Sequence, residues 1–378
     1  MKVLHVIPSV GRSSGGPAEV VRRLIPALEQ QAVSVTVATT NKDLSQVDQD
    51  ILHSSTVHFA KCWTRRWTFA PGLFRLIWRE LRTADVAHIH SVHTFPTTLA
   101  LILARLRRVP VLLQPHGALN LYHFRQGRRV KSLYFSTVDR YGLGAVSAAL
   151  YSSSIELDEG RQALPKVKGA WLPLGVDDQL LLAERVQPES TSVVFLSRMA
   201  KKKRLDIFLA ALSRLSRDEI IWRGYVAGPL DDDLPYDPRS VVESLGLQEQ
   251  VEFVGTLDAS ARLALLRQTD IFVLPSDDES FGMAAAEAMA AGCAVVTSNF
   301  VGATIDAADS QSVALVDQNP DVLAATIAHL IENPIDRENL GSLARAYAAQ
   351  NLSWDSIAER LRTYYESAAQ KEEVVSVG

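Results

Sequence analysis

The sequence predicts an α/β protein built from two doubly wound parallel sheets. Three observations indicate this fold class. Short apolar segments alternate with helical segments along the chain, 378 residues are many for one hydrophobic core, and the alternation restarts after a polar stretch near residue 180. We therefore expect one domain over residues 1–175 and a second over residues 176–352.

The first half alternates strands and helices. Residues 17–30 place Val20, Val21, Leu24 and Leu28 on one face of a helix, which Pro26 is expected to kink. The predicted strands of this half are residues 2–7, 33–38, 85–90, 109–114 and 148–152.

The second half continues the same alternation. Pro320 opens a helix whose apolar residues are Leu323, Ile327, Leu330 and Ile331, and a last helix runs from Ser353 to Tyr365. The predicted strands of this half are residues 192–196, 221–227, 251–254, 271–274, 294–297 and 313–316.

Composition and charge limit the classes of protein. With 47% hydrophobic and 22% charged residues, the chain is not disordered throughout. Residues 1–178 carry 22 Lys and Arg against 13 Asp and Glu, whereas the remainder carries 17 against 30. The basic first half predicts an anionic partner for that half.

Cysteine use and hydropathy predict a cytoplasmic location. Cys62 and Cys293 form no ligand pattern, which favours a reducing compartment. The apolar segment at residues 2–7 is too short for the core of a signal peptide, and no segment approaches the roughly 18 apolar residues that span a bilayer. Any membrane contact is therefore expected to be peripheral, on the inner membrane face.

Residues 270–297 are the most informative stretch, because they predict a strand, a loop, an Ala-rich helix closed by Gly292, and a second strand. The loop opens at the carboxyl end of a strand, where open α/β sheets bind ligands. Glu279 precedes the helix and Glu287 lies within it, roughly 12 Å further along the axis. The two carboxylates are too distant to share a metal ion, but they could accept hydrogen bonds from hydroxyl groups at two ends of a folded nucleotide-sugar. Backbone N–H groups near Phe281, Gly282 and Met283 would face the portion between.

Three other strand ends carry candidate site residues. Gly15 and Gly16 allow a phosphate or an acceptor to approach the backbone, although a plain flexible turn explains them equally well. The run at residues 197–204 contains Arg198 and Lys203, and runs of charge are usually solvated surface. His116 follows the strand at residues 109–114, and a lone histidine is more often structural than catalytic.

A metal site is not expected. His88 and His90 point to one face of a strand, but no carboxylate accompanies them at a useful spacing. No Asp-x-Asp pair follows a strand, and residues 231–233, all aspartates, indicate a solvated turn.

Residues 61–82 mix aromatic side chains with arginines. Arg75, Arg79 and Arg82 share one helical face, a composition typical of helices that lie on an anionic membrane surface. The alternative is an ordinary helix that packs on the protein core and exposes one side to solvent. We expect no nucleic-acid partner.

Taken in order, the strand-end motifs resemble those of the family 4 retaining glycosyltransferases, or glycosyl transferases group 1. The matching motifs cover most of the chain: the Gly loop, His116-Gly117, Pro173-x-Gly-Val-Asp177, Arg198-x4-Lys203, Phe253-Val254-Gly255 and Glu279-x7-Glu287. The sequence departs from the family at Ser197 and Arg204, where glycines are usual, at Leu174, where Asn is common, and at residues 299–306, where Gly302 alone remains of a Gly-Gly-x-x-Glu ending.

The resemblance implies the GT-B fold, in which two Rossmann-like domains face each other across a cleft. The first domain would bind the acceptor and be completed by a C-terminal helix at about residues 353–370, and the second would bind the nucleotide-sugar donor. The implied activity is metal-independent hexosyl transfer with retention, without a cofactor, to a glycan or lipid-linked acceptor in cell-surface polysaccharide synthesis.

The resemblance also implies roles for individual residues. His116 would contact the donor sugar, Arg198 and Lys203 would neutralise the departing diphosphate, and Glu279 and Glu287 would hold the sugar and ribose hydroxyls. The complete set of implied donor-binding residues is Gly16, Arg198, Lys203, Glu279, Phe281, Gly282, Met283 and Glu287, and the acceptor or phosphate loop contains Gly15 and Gly16.

Three alternatives remain at this point. A nucleotide-sugar epimerase of GT-B architecture acts without an acceptor, and a non-catalytic protein binds a sugar nucleotide without turnover. A glycogen-phosphorylase-like enzyme needs a cofactor lysine, for which the sequence has no motif.

Overall fold

A computed structural model describes residues 1–45, 48, 57–119, 140–186, 188–215 and 221–375. The chain forms two compact units. The first consists of Met1–Gly175 together with Trp354–Gly378, and the second of Val176–Ser353. Within the described ranges, no helix combines the length and apolarity needed to cross a membrane.

The first unit is built on a seven-stranded parallel sheet. Its strands are β1 (Lys2–Val6), β2 (Ser34–Thr40), β3 (Val57–Ala60), β4 (Val86–His90), β5 (Val111–Gln114), β6 (Val146–Tyr151) and β7 (Gly169–Trp171), in the spatial order β3-β2-β1-β4-β5-β6-β7. Its helices in the first half are α1 (Gly16–Gln30), α2 (Leu73–Glu80), α3 (Phe95–Arg107), α4 (Arg140–Gly142) and α5 (Ser154–Ala163).

The second unit is built on a six-stranded parallel sheet. Its strands are β8 (Thr191–Leu196), β9 (Trp222–Ala227), β10 (Val251–Gly255), β11 (Ile271–Leu274), β12 (Ala294–Ser298) and β13 (Ala314–Val316), in the order β10-β9-β8-β11-β12-β13. Its helices are α6 (Asp178–Leu182), α7 (Leu205–Leu212), α8 (Pro238–Ser244), α9 (Ala259–Arg267), α10 (Met283–Ala290), α11 (Gly302–Ala307), α12 (Pro320–Glu332) and α13 (Pro334–Asn351).

The terminal helix, α14 (Trp354–Gln370), returns to the first unit. It packs with α1 on one face of the seven-stranded sheet, where Tyr364 and Tyr365 join a core that includes Val3 and Val86. Helices α2 and α3 cover the other face, whose core includes Leu4. Because helices cover both faces, the strands are buried and can be apolar throughout, which is why most of them could be predicted from the sequence.

In each sheet, the order of strands reverses beside the first strand. The reversal falls between β1 and β4 in the first unit and between β8 and β11 in the second. Ligands of open α/β sheets bind beyond the carboxyl ends of the strands at such a point.

The predicted fold class is confirmed, with differences in individual elements. Strands β3 and β7 were not predicted, and of the described helices only α1, α2, α10, α12 and α14 were predicted individually. Helix α1 runs without interruption through Pro26. The Ala-rich helix runs from Met283 to Ala290, and Gly292, which was predicted to close it, follows the C-cap residue Ala291 with φ of 77°. Arg82 lies beyond the end of α2, so Arg75, Arg79 and Arg82, which were predicted to share one helical face, do not all belong to one helix.

Candidate active site

The loops that follow β8 and β11 meet through a buried ion pair. The ammonium group of Lys203 donates a hydrogen bond to the Glu279 carboxylate, and both side chains are largely buried. Burial lowers the pKa of Lys203, and the charge and hydrogen bond of Glu279 act against that effect. The structure therefore brings together two of the predicted site residues at the strand-order reversal of the second unit.

Further hydrogen bonds fix these two loops to each other. The backbone N–H of Asp277 donates to the Lys202 carbonyl over 2.7 Å, and the Ser276 hydroxyl donates to the same oxygen over 2.9 Å. The guanidinium of Arg204 donates to Asp277 over 3.1 Å and to Asp206 over 3.0 Å. These contacts hold Arg204 in a left-handed conformation with φ of 54°, the kind of conformation that glycine adopts most readily.

The segment after β12 secures the other side of the Glu279 loop. The N–H of Glu279 donates to Phe300 over 2.9 Å, and the N–H of Gly302 donates back to Glu279 over 3.1 Å. The N–H of Ala303 donates to the Phe281 carbonyl over 2.7 Å, and Phe281 itself is buried. Gly302 thus takes part in positioning Glu279, although the family's usual ending is absent from this sequence.

Helix α10 begins at the site without a side-chain cap. Its first residue follows Gly282, which has φ of 93° and would place a Cβ atom 2.6 Å from Val301 Cγ1. Met283, the first helical residue, is 37% exposed. The amino end of α10 therefore presents backbone N–H groups beside Glu279, as an anion or a sugar oxygen requires.

Glu287 lies inside α10 and is almost completely buried. Its carboxylate is 3.3 Å from the Arg262 guanidinium. Burial raises the pKa of Glu287 to about 7, because the effect of Arg262, which lowers it, is smaller. A carboxyl that titrates near neutral pH in a sheltered position is a candidate functional group.

Arg198 takes a more exposed position after β8. Its guanidinium is 2.7 Å from the Asp231 carboxylate, and its side chain is 57% exposed. Asp231 thus differs from the solvated turn predicted for residues 231–233, because it holds the predicted diphosphate-binding arginine. An exposed pair of this kind is worth roughly 0–1 kcal/mol, so an anionic ligand can compete with Asp231 for Arg198.

The first unit contains the remaining predicted residues, Gly15, Gly16 and His116. Gly15 has φ of 83° and caps α1, and a Cβ atom added to Gly15 or Gly16 would meet nothing within 4 Å. Their N–H groups are therefore accessible to a ligand. The candidate residues fall into two groups, one in each unit.

His116 stands directly after β5 in a backbone conformation unusual for a side-chain-bearing residue. Its φ is 55°, and that of Gly117 is 75°. The buried Glu156 carboxylate accepts a hydrogen bond of 2.6 Å from the Gly117 N–H and one of 2.8 Å from the Ser152 N–H. Non-glycine residues in this region cost about 1–3 kcal/mol and cluster at functional sites, which supports a role for His116.

Sequence reasoning missed Glu156 and the residues buried behind His116. The spacing of Ser153 and Glu156 matches a helix N-cap followed by an acidic third residue, which was the available signal for Glu156. The ring of His116 is 3.0 Å from that of His90, nitrogen to nitrogen, and His90 is 3.0 Å from His5. His5 was read only as part of a strand.

Comparison with known proteins decides the family. The glycosyl transferases group 1 family matches residues 183–347, and the glycosyl transferase 4-like domain matches residues 15–175. This chain belongs to the group 1, family 4-like glycosyltransferases. It has the GT-B fold, with two Rossmann-like domains, as the resemblance implied.

Two relatives and one solved structure illustrate the similarity. The chain is 27% identical over 381 residues to the GDP-mannose:cellobiosyl-diphosphopolyprenol alpha-mannosyltransferase of Xanthomonas oryzae pv. oryzae, covering 97% of each protein. It is 28% identical over 312 residues to the enzyme of the same description from Xanthomonas campestris, covering 79% of each. The structure of Anabaena Alr3699/HepE in complex with UDP superposes with a TM-score of 0.76 at 19% identity, covering 97% of this chain and 100% of that one.

Proposed function

We propose that this glycosyltransferase moves a sugar from a nucleotide diphosphate-sugar to a glycan or lipid-linked acceptor, with retention of anomeric configuration and without a metal ion. The observation that carries the proposal is the buried pair of Lys203 and Glu279 at the strand-order reversal of the second unit. A cation and a carboxylate fixed side by side suit two neighbouring parts of the donor: a phosphate oxygen of the leaving group and a hydroxyl of the sugar.

The cations would stabilise the leaving group. As the anomeric bond breaks, negative charge develops on the diphosphate, and Arg198 and Lys203 would neutralise it in place of a metal ion. Lys203 is fixed by Glu279, whereas the ion pair of Arg198 with Asp231 is partly exposed. We infer that Arg198 leaves Asp231 for the diphosphate when the donor binds.

The carboxylates and the amino end of α10 would orient the rest of the donor. Glu279 would accept hydrogen bonds from sugar hydroxyls, with the N–H groups near Gly282 and Met283 beside it, and Glu287 would accept them from the ribose. His116 would contact the sugar from the first unit, and Gly15 and Gly16 would leave room for a phosphate or the acceptor. We propose no described carboxylate as a covalent nucleophile. We infer instead that the acceptor hydroxyl attacks on the face of the sugar that the phosphate leaves, and that the leaving phosphate accepts the proton of that hydroxyl.

The relatives supply the first donor and acceptor to test. The two Xanthomonas mannosyltransferases are described as using GDP-mannose and a cellobiosyl-diphosphopolyprenol. We propose GDP-mannose as the first donor and a polyprenol-diphosphate-linked oligosaccharide as the first acceptor, consistent with assembly of cell-surface polysaccharide in the cytoplasm.

A lipid-linked acceptor would require access to a membrane surface. The side chains of Arg75, Arg79 and Arg82 are exposed, and Phe74 beside them is 49% exposed. We propose that this surface contacts anionic lipid at the inner membrane face. The wild type should sediment with phosphatidylglycerol vesicles but not with phosphatidylcholine vesicles, and reversing the three arginine charges should abolish the first interaction. Unchanged sedimentation of the variant would contradict the proposal.

The test of the function is product analysis. The purified chain is incubated with GDP-mannose and other nucleotide diphosphate-sugars, with and without the lipid-linked acceptor, and the product linkage is assigned by NMR. We expect transfer with retention, and loss of transfer in the Glu279→Ala variant. A sugar altered without an acceptor would identify an epimerase, donor binding without turnover would identify a binding protein, and an inverted linkage would exclude retention.

A further inference from the structure

A continuous chain of ring nitrogens runs from His116 into the core of the first unit. Nε2 of His116 is 3.0 Å from Nδ1 of His90, and Nε2 of His90 is 3.0 Å from Nδ1 of His5. Nε2 of His5 is 3.0 Å from the Tyr365 hydroxyl, which is 2.7 Å from Nδ1 of His88. One tyrosine of α14 therefore connects histidines of two strands, β1 and β4, to the candidate active-site histidine.

The imidazoles of this chain are neutral at physiological pH. His5, His88 and His90 are completely buried, and burial lowers the pKa of His5 to about 3 and that of His116 to about 4. A neutral imidazole has one N–H donor and one acceptor nitrogen. Each link of the chain needs one donor and one acceptor, so the choice made at one link fixes the choice at the next.

Two arrangements satisfy every link and also use the Tyr365 hydroxyl proton, whereas a third, in which the Tyr365 oxygen accepts from both His5 and His88, leaves that buried proton unpaired. In one, all four histidines carry the proton on Nε2: His116, His90 and His5 donate in turn toward Tyr365, whose hydroxyl donates to Nδ1 of His88. In the other, all four carry it on Nδ1 and every hydrogen bond is reversed. The far end of the chain, at His88, selects between them.

The Gln114 side chain lies at that end. Nε2 of His88 and Oε1 of Gln114 are both buried, and neither has a hydrogen-bond partner among the described residues. Gln114 stands opposite His90 on the adjacent strand, and therefore on the same face of the sheet as His88. Burial lowers the pKa of His88 well below its usual value, and the Gln114 side chain acts against that effect, as a nearby hydrogen-bond acceptor would. A carbonyl oxygen cannot donate, so these two buried atoms can satisfy each other only if His88 carries its proton on Nε2, and the other three histidines then follow.

We propose that Tyr365, His5, His88 and His90 are positioning residues that lock His116 as its Nε2–H tautomer and leave Nδ1 as a hydrogen-bond acceptor. The functional consequence rests on the proposed function, in which His116 contacts the donor sugar. A fixed Nδ1 acceptor selects a sugar hydroxyl that donates a hydrogen bond to it. A fixed tautomer also removes the free-energy cost of rearranging the ring proton during the reaction.

A metal ion is the competing explanation for three clustered histidines. One ligand atom from each of His5, His88 and His90 lies within 4.8 Å of the others. The nitrogens that a cation would take are, however, already paired in the chain, apart from Nε2 of His88. The tautomer chain accounts for the contact with Tyr365 and for that with His116, which a three-histidine metal site leaves unexplained.

The test reads the tautomers directly by NMR, without substrate. Full-length protein is labelled with ¹⁵N in the histidine rings, and long-range ¹H–¹⁵N correlations distinguish protonated from unprotonated nitrogens. Substituting each of the four histidines with Asn assigns the signals. We expect His5, His88, His90 and His116 all as Nε2–H tautomers at pH 7. Nδ1–H at His116, an average of both forms, or a change of these signals on adding EDTA would overturn the proposal.

A matched pair of variants tests the link through α14. Tyr365→Phe removes the hydroxyl that joins His5 to His88, and we expect the two ring nitrogen signals of His116 to move toward each other. Tyr364→Phe is the control, because Tyr364 is equally buried on the same helix but donates to the Trp171 carbonyl over 2.7 Å. Its His116 signals should stay in place, and equal behaviour of the two variants would contradict the chain.

Activity separates this inference from the proposed function. If His116→Ala retains full transfer while the wild-type tautomers are as expected, the proposed role of His116 in transfer is wrong but the proposed tautomer lock is correct. If His116→Ala loses transfer but the wild-type tautomers are mixed, His116 has its proposed role and the tautomer lock is wrong. With both correct, Tyr365→Phe should lower kcat several-fold more than Tyr364→Phe.

Discussion

Lys203 and Glu279 form a buried ion pair that ties the loop after β8 to the loop after β11. One residue earlier in each loop, Lys202 and Asp278 form a second pair with a separation of 3.2 Å, in which 38% and 33% of the side chains are exposed. The chain thus contains a buried ion pair beside an exposed one with the same connectivity, and the two pairs can be compared directly.

Removing Lys203 should harm both stability and transfer. The Lys203→Ala variant leaves the Glu279 carboxylate buried without its partner, and breaking a buried pair costs about 3–5 kcal/mol in the free energy of unfolding. The Lys202→Ala control should lose roughly 0–1 kcal/mol and keep its transfer activity. Urea unfolding and a transfer assay measure the two effects, and equal losses in the two variants would contradict the assignment of Lys203.

The pKa of Glu287 predicts how stability changes with pH. Because burial raises this pKa from 4.5 to about 7, the folded protein binds the proton more tightly than the unfolded chain does. The stability that this provides is present below pH 4.5 and is lost as the pH rises to about 7, by about 3 kcal/mol at most. The Glu287→Gln variant should lack this loss. The difference between its unfolding free energy and that of the wild type, measured across pH 4.5–7, should therefore shift in favour of the variant as the pH rises. Parallel curves would show that the carboxyl titrates normally.

The same group predicts the pH dependence of donor affinity. A carboxylate that accepts hydrogen bonds from ribose hydroxyls must be ionised, so binding should tighten as the pH rises toward 7 and level off above it. Calorimetry with GDP-mannose in buffers of different ionisation enthalpy should detect proton release at pH 6 and little at pH 8. The Glu287→Gln variant should bind more weakly without this dependence, and proton release that persists in this variant would assign the effect to another group.

Gly282 should tolerate no side chain. A non-glycine residue at its φ of 93° costs about 1–2 kcal/mol, and a Cβ atom would also lie 2.6 Å from Val301 Cγ1. Gly255 is a suitable control, because its φ is 81° and a Cβ atom there would meet nothing within 4 Å. Thermal unfolding should show a larger loss for Gly282→Ala than for Gly255→Ala, together with weaker donor binding in the first variant only. Equal losses would mean that the contact with Val301 does not constrain the loop.

The sequence predicted those parts of the fold that depend on continuous apolar runs. β11 (Ile271–Leu274) is buried along its whole length and was predicted to the residue. β3 (Val57–Ala60) is an edge strand with partly exposed residues, and β7 (Gly169–Trp171) has only three residues, so neither produces such a run. Helix α13 was missed because its buried residues are small: Gly341, Ala344 and Ala348.

The candidate site was predictable where it follows a strand, and not where it depends on distant partners. Motif spacing predicted Lys203 and Glu279 as site residues, but it gave no sign that they pair across 76 positions of the chain. His88 meets Tyr365 across 277 positions, and no local pattern links a strand histidine to a tyrosine on a terminal helix. Such contacts follow from the order of strands and the return of α14, which spacing alone does not supply.

The most direct test of the account is sugar transfer in the presence of EDTA, measured for the wild type and for Lys203→Ala. If Arg198 and Lys203 replace a metal ion, the wild type should transfer the sugar equally well with EDTA and with added Mg²⁺, and Lys203→Ala should be slower by about 10²–10³-fold in both. Transfer that stops in EDTA and returns with a divalent cation would contradict the account.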